Sequence, residues 1–231
     1  CEGCGDCSIK SNCLSVEPVE TELGRKRRVN QSTCNTDLSC VNGFCPSFIT
    51  VTDGEFTAAD EPRPDIDATN LPLPDTPSLE QVWNVLFTGV GGTGVTTVAA
   101  ILAMGAHVDG HAASSLDMTG LAQKGGPVLS HLRFARTPEM ISTGRVPPAS
   151  TDCMIACDLV VAAGGDALNL MDAERTSAYA NSDVTPTSEF IRDRSKKFES
   201  DLLASRVKRQ ASDFAAFDAE ALAILYFNDA I

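Results

Sequence analysis

A chain of 231 residues can build one substantial domain and a smaller companion, and a composition that is 43% hydrophobic but only 6% aromatic suits an α/β core better than an all-β one. The formal net charge of −13 argues against nucleic acid as a partner, because phosphate contacts need a basic face. No apolar run reaches the roughly 18 residues that a membrane span needs, so no membrane association is expected and the protein reads as cytoplasmic.

The first segment, residues 1–52, carries seven of the nine cysteines. Cys1, Cys4 and Cys7 have the C-x2-C-x2-C spacing with which a tight loop places three thiolates around one cubane cluster. Cys45, followed at once by Pro46, has the form of the Cys-Pro ligand that two-cluster ferredoxins lend from the opposite run, and completes a set for one [4Fe–4S] cluster. Cys13, Cys34 and Cys40 stand where a second cluster would be ligated and are one ligand short. Either there is one cluster, or the missing ligand precedes residue 1, or the second site has decayed. Zinc fits the spacing less well, since its sites use separated Cys-x2-Cys pairs or Cys/His mixtures; disulfides would need an oxidising compartment. The basic run Arg25-Lys26-Arg27-Arg28, near Glu20 and Glu22, reads as a solvated hairpin strand or turn, with a docking patch for an acidic electron carrier as the alternative. Phe48 to Thr52 reads as a short strand closing this small domain.

Residues 53–80 hold one basic residue against eight acids, with Pro62, Pro64, Pro72, Pro74 and Pro77. Such a composition cannot bury a core and is expected to run as an acidic, Pro-rich linker.

From residue 81 to 231 the pattern changes to short apolar strands and helices. Val82 to Thr88 reads as a strand, Gly89 to Gly94 as a glycine turn and Val95 to Met104 as a helix, the opening of a Rossmann-like βαβ unit. Further strands are expected at His111–Asp117, Val128–Phe134, Asp158–Ala163 and Ser177–Asn181, and helices at Asp166–Asp172, Phe198–Arg209 and Ala219–Ile231. The alternation implies a mostly parallel sheet with helices on both faces.

Gly89, Gly91 and Gly94 satisfy G-x-G-x-x-G, with Gly92 between them, and Asp109 lies twenty residues after Gly89. Glycines at such a turn let backbone N–H groups approach a phosphate at a helix N-terminus, and the same glycines also serve any tight strand-to-helix turn. Asp109 precedes the next strand rather than closing it, which weakens a nicotinamide reading against phosphate contact of another kind or a structural turn. Lys124, before Gly125 and Gly126, could meet an anionic ligand or sit solvated in a turn. His107, His111 and His131 share no metal spacing, and Cys153 and Cys157 lie in an apolar context as small core residues. The chain starts at Cys1 and stops at Ile231 inside an apolar helix-like run, so both ends are expected to be truncations.

Cys1-Glu2-Gly3-Cys4-Gly5-Asp6-Cys7, Glu22 to Arg27, Ser39 to Phe48, Thr88 to Val95 and Leu116 to Gly126 together resemble the fused bacterial indolepyruvate ferredoxin oxidoreductases, members of the 2-oxoacid:ferredoxin oxidoreductases. The resemblance implies a ferredoxin-like iron–sulfur segment followed by a gamma-type α/β domain. It further implies oxidative decarboxylation of a 2-oxoacid on thiamine diphosphate, with CoA as acyl acceptor and ferredoxin as electron acceptor. The thiamine diphosphate domains would belong to the same chain, outside this segment, in a homo-oligomeric full-length enzyme; the fragment alone is not expected to be active. Nothing in the sequence reads an indole ring. An NAD(P)-binding module using the Gly89 loop, and a zinc-stabilised scaffold, are the competing classes.

Overall fold

In this computed structural model the described residues are 1–13, 15–30, 34, 36–49, 51–54, 69, 72, 74, 76–120, 126–184 and 199–227. The chain divides into two compact units. One comprises Cys1–Asp65, Pro186–Phe198 and Glu220–Ile231, the other Ile66–Thr185 and Glu199–Ala219.

The first unit is built on a short helix, α1 (Asp6–Ser11), and a hairpin of β1 (Val16–Thr21) and β2 (Gly24–Val29). Gly5 enters α1 at φ 76° and Asn12 ends it at φ 51°, both left-handed, which is how six residues can start and stop a helix. Thr21 pairs with Gly24 across the two-residue turn, and Gly24 takes φ +87°. The register puts Glu20 opposite Arg25 and Glu17 opposite Arg28, and both pairs are ion-paired. The basic run is thus a hairpin strand matched to an acidic partner strand, as cross-strand charge pairing favours.

The expected strand at Phe48–Thr52 does not form: Phe48, Ile49, Val51 and Thr52 are outside any strand, and Thr50 lies outside the described residues. Ile49 and Val51 are exposed, and a β-prone run without a partner edge has no ladder to join. Most of the 53–80 linker lies outside the described residues.

The second unit is an α/β sheet of six strands: β3 (Trp83–Val90), β4 (Ala112–Thr119), β5 (Pro127–Ala135), β6 (Cys153–Ala156), β7 (Ser177–Asn181) and β8 (Asp213–Phe217). Their order is β4-β5-β3-β6-β7-β8. β3, β6, β7 and β8 pair in parallel, while β5 is antiparallel to both β3 and β4. The sheet is therefore mixed rather than simply Rossmann-like. The strand after the glycine turn does not lie beside β3, because the β4–β5 hairpin folds back and inserts β5 between them.

Central β3 is buried on both faces, as a sheet covered by helices requires. Val85 and Phe87 pack on one side with Val95 and Ala99 of α2 (Val95–Val108). Leu86 packs on the other with Leu159 and Ala162 of α3 (Leu159–Ala162), Ala167 of α4 (Gly165–Leu168) and Val207 of α5 (Ser200–Lys208). A final helix, α6 (Ala219–Phe227), follows β8, and the predicted remainder to Ile231 lies outside the described residues.

The expected strand at Asp158–Ala163 is instead α3. Asp158 caps it, its carboxylate accepting from the N–H groups of Val160 and Val161, and a short apolar run has no periodicity to tell buried strand from buried helix. The true strand lies just before, at Cys153–Ala156. α4 is likewise shorter than the expected Asp166–Asp172.

Candidate functional site

In the first unit the four cysteines grouped by spacing come together. Cys1, Cys4, Cys7 and Cys45 line one cavity of about 300 Å³, together with Asp6, Arg27, Phe44 and Pro46 among others. Cys7 is buried, Cys45 half-buried, and Cys1 and Cys4 are exposed.

Three local devices assemble this cavity. The Gly3 and Arg27 backbone N–H groups both donate to Cys1 Sγ at 3.3 Å, which fixes the first thiol against β2. Gly3 sits at φ +74°, where a Cβ would fall 2.3 Å from the Arg25 carbonyl, so only glycine permits this approach. The 3₁₀ turn at Ser39–Asn42 leads into Gly43, whose missing side chain lets the chain pass directly over Cys7: a Cβ there would meet Cys7 Cα and N at 2.9 Å. The Phe44 N–H then donates to Asp6 Oδ2 at 2.8 Å, and Cys45 follows.

Burial is the main cause that pushes the Cys7 thiol up; Ser8 opposes it through hydrogen bonds, and neighbouring Cys45 and Cys4 raise it further. Among the described residues no three His, Cys, Asp or Glu side chains are arranged to hold a single metal ion.

Burial is the main cause that pushes the Cys40 thiol up; a backbone hydrogen bond opposes it, and Cys13, Cys34 and Asp37 raise it further.

In the second unit the glycine loop lies at the carboxyl end of β3, where the chain leaves toward β4 and β5 on one side and later returns to β6 on the other. This is the switch point at which open α/β sheets place ligands. Its glycines differ in role. A Cβ on Gly89 would stand 2.5 Å from Thr93 Oγ1 and 2.6 Å from Val95 Cγ2, so Gly89 serves close packing. The Gly91 N–H is used in the fold, donating to the Gly126 carbonyl at 2.8 Å. Gly92 and Gly94 take φ +106° and +77° with open space where side chains would be. The Gly91–Gly126 bond brings Gly126 beside the loop; Gln123, Lys124 and Gly125 lie outside the described residues. Asp109 ends α2 at its far terminus, about 20 Å of helix from the loop, which is the wrong end of the sheet for a ribose acid.

The histidines are structural or peripheral. His131 is fully buried, its Nδ1 accepts from the Val146 N–H at 3.2 Å, and burial, then Arg145, lowers its pKa so that it stays neutral. Cys153 and Cys157 pack beside the α2-side core; burial drives the Cys153 thiol up to about 11. Sequence reasoning missed Asn84, which joins buried Arg133 to the start of the sheet: Arg133 Nε donates to Asn84 Oδ1 at 2.9 Å. A lone polar residue in an apolar strand was its only signal.

No helix among the described residues is long and apolar enough to cross a membrane. The outer face of α2 is apolar, with Ile101, Met104 and Val108 exposed.

The family described as "Pyruvate ferredoxin/flavodoxin oxidoreductase" matches residues 84–226. No curated protein matches the chain. Among solved structures, the chain is similar to pyruvate oxidoreductase subunit PORC from Thermotoga maritima, at 15% identity over 66% of this chain and 70% of that one, with a TM-score of 0.43. The gamma subunit of a keto/oxoacid ferredoxin oxidoreductase from Geobacter sulfurreducens matches at 18% identity over 62% of this chain and 64% of that one, TM-score 0.38. A 2-oxoglutarate:ferredoxin oxidoreductase from Magnetococcus marinus, solved with 2-oxoglutarate, coenzyme A and succinyl-CoA bound, matches at 12% identity over 60% of this chain, TM-score 0.39, and the chain spans only 20% of its length.

Proposed function

Since the chain belongs to the pyruvate ferredoxin/flavodoxin oxidoreductase family, we propose that it forms the electron-exit segment and gamma domain of a cytoplasmic 2-oxoacid:ferredoxin oxidoreductase acting on indolepyruvate or another arylpyruvate. The observation that carries this reading is the cavity lined by Cys1, Cys4, Cys7 and Cys45 in a chain whose second unit carries the family match.

The donor set fits a [4Fe–4S] cluster. Three thiolates at C-x2-C-x2-C spacing with a fourth from Cys45 around one cavity suit a cubane, which distributes four thiolates over four irons, better than the separated Cys-x2-Cys pairs that zinc uses. When bound, such a cluster accepts and releases single electrons with little change in its ligand shell, which suits delivery to ferredoxin. The chain's own residues prepare the site. Arg27 and Gly3 direct backbone N–H groups at Cys1 Sγ and hold that sulfur at the cavity. Asp6 holds the Cys45 loop against α1.

In the second unit, Gly92 and Gly94 at the switch point, with Gly91 anchored to Gly126 and Lys124 two residues away in sequence, suit the diphosphate of CoA or thiamine diphosphate. Gly89 supports that loop by packing. The exposed apolar face of α2 suits contact with thiamine diphosphate domains of the same chain.

The test is CoA-dependent reduction of ferredoxin by the full-length enzyme, assayed anaerobically with indolepyruvate, phenylpyruvate, pyruvate and 2-oxoglutarate. Turnover fastest with the aryl substrates is expected. Reduction of NAD(P)⁺ in place of ferredoxin would overturn the reading, and preference for pyruvate or 2-oxoglutarate would overturn its substrate assignment.

A further inference from the structure

A cavity of about 810 Å³ opens in the second unit between the last turn of α2 and the start of β4, at the end of the sheet away from the glycine loop. Its volume is that of a small-molecule site. The backbone builds it. α2 stops at Val108, and Gly110 turns left-handed at φ +83°. The carbonyls of Gly105, Ala106 and His107 accept the N–H groups of Asp109, His111 and Gly110 at 3.0, 2.9 and 3.1 Å. This turn brings His107 and His111 to one cavity, and it also occupies the last helical carbonyls, which would otherwise repel an anion. On the neighbouring strand Ala135, the last residue of β5, pairs with Ala112, the first of β4, so His111 and Arg136 leave the hairpin side by side.

His107, His111 and Arg136 all line the cavity, and among the described residues no Asp or Glu does, in a chain whose formal net charge is −13. Arg25, Arg28 and Arg175 are ion-paired and Arg133 bonds to Asn84, whereas the side chains of His107, His111 and Arg136 have no partner among the described residues. Glu139, the nearest acid on the Arg136 segment, is hydrogen-bonded to Thr137. Two cation-capable side chains set side by side without an acid repel each other, and a bound anion relieves that cost. The guanidinium fork and the imidazole N–H groups are donors that match an oxyanion.

The rest of the lining is apolar. Ala100, Ala103 and Ala113 contribute single methyl groups, which leave a planar group room to lie flat, and Met104 and Ile141 add longer side chains. A thioether and a guanidinium both pack favourably on an aromatic ring.

We propose that this cavity binds an aromatic carboxylate, with the oxyanion held by Arg136, His107 and His111 and the ring on the alanine floor beside Met104. The glycine loop lies at the other end of the fourteen residues of α2, about 20 Å of helix away, so the two sites are separate. Neither a cluster nor the activity proposed for the whole enzyme is needed for this binding.

Isothermal titration calorimetry of the full-length protein with phenylacetate, which has no 2-oxo group to react, tests it. Saturable binding to the parent protein is expected, weakened about tenfold or more by Arg136→Gln and by His107→Ala. The unfolding midpoint without ligand should stay unchanged in both variants, since neither side chain has a partner to lose. Inorganic phosphate at the same concentration should not displace phenylacetate. Absence of saturable binding to the parent would overturn the proposal. Undiminished binding by both variants would overturn it by placing the ligand elsewhere, and displacement by phosphate would overturn it by showing a site for a bare anion.

Discussion

The backbone N–H of Phe44 donates to Asp6 Oδ2 at 2.8 Å, and this bond closes the sequence gap of 38 residues that separates Cys7 from Cys45. Asp6 stands immediately before Cys7 and Phe44 immediately before Cys45, so one carboxylate sets the distance between two thiols of the cavity. Asp6→Ala should cost about 1 kcal/mol of stability, a typical net hydrogen bond, and should speed loss of visible absorbance under an iron chelator several-fold. Asp6→Asn keeps an acceptor and should restore most of the retention time.

Two glycine substitutions should move in opposite directions. Gly43→Ala places a methyl group 2.9 Å from the Cys7 backbone, so the Cys45 loop must lift, and cluster content should fall by more than half on iron analysis. Gly105→Ala lies in α2 with nothing within 4 Å of the added carbon, and should raise stability by roughly 0.5–1 kcal/mol in thermal unfolding.

Alkaline pH should unfold the second unit partly through Cys153. Its thiol is pushed up to about 11 in the folded chain from the ordinary thiol value of 9.0, because burial, and after it Asp152, disfavours the thiolate. The folded state therefore holds its proton more tightly than the unfolded one. That contribution is fully present below pH 9.0 and is lost as pH rises toward about 11. Cys153→Ala should flatten the fall in denaturation midpoint across this window relative to the parent chain.

Asn84→Ala should cost about 2–3 kcal/mol, because it leaves the buried Arg133 guanidinium short of a partner. Arg133 retains only its bond to the Thr143 carbonyl among those described, and the Asn84 amide donates onward to Ser150 O at 2.9 Å. Urea unfolding with an unchanged slope and a lower midpoint is the expected readout.

The grouping of four cysteines and several elements of the second unit leave local marks in the sequence. The C-x2-C-x2-C spacing of Cys1, Cys4 and Cys7 and the Cys-Pro form at Cys45 grouped four thiols in the sequence, and the structure brings these four around one cavity. Strands such as Ser177–Asn181 and the turn at Gly89–Gly94 were legible from apolar runs bounded by glycine or polar residues. The helix at Leu159–Ala162 was not, since a short apolar run carries no period and only Asp158 marked its start. The insertion of β5 beside β3 was also hidden, because pairing is decided by tertiary contacts that local patterns do not encode. Gly3 and Gly43 could be seen as glycines in the sequence, but not that each makes room for a specific backbone atom.

The central claim is that Cys1, Cys4, Cys7 and Cys45 hold one [4Fe–4S] cluster. EPR of the anaerobically purified, dithionite-reduced full-length protein beside its Cys45→Ala variant tests it most directly. A one-electron cubane signal in the parent protein, abolished by Cys45→Ala with the gamma domain still folded, is the predicted result. A signal that survives Cys45→Ala, or stoichiometric zinc with neither iron nor signal in the parent, would contradict it.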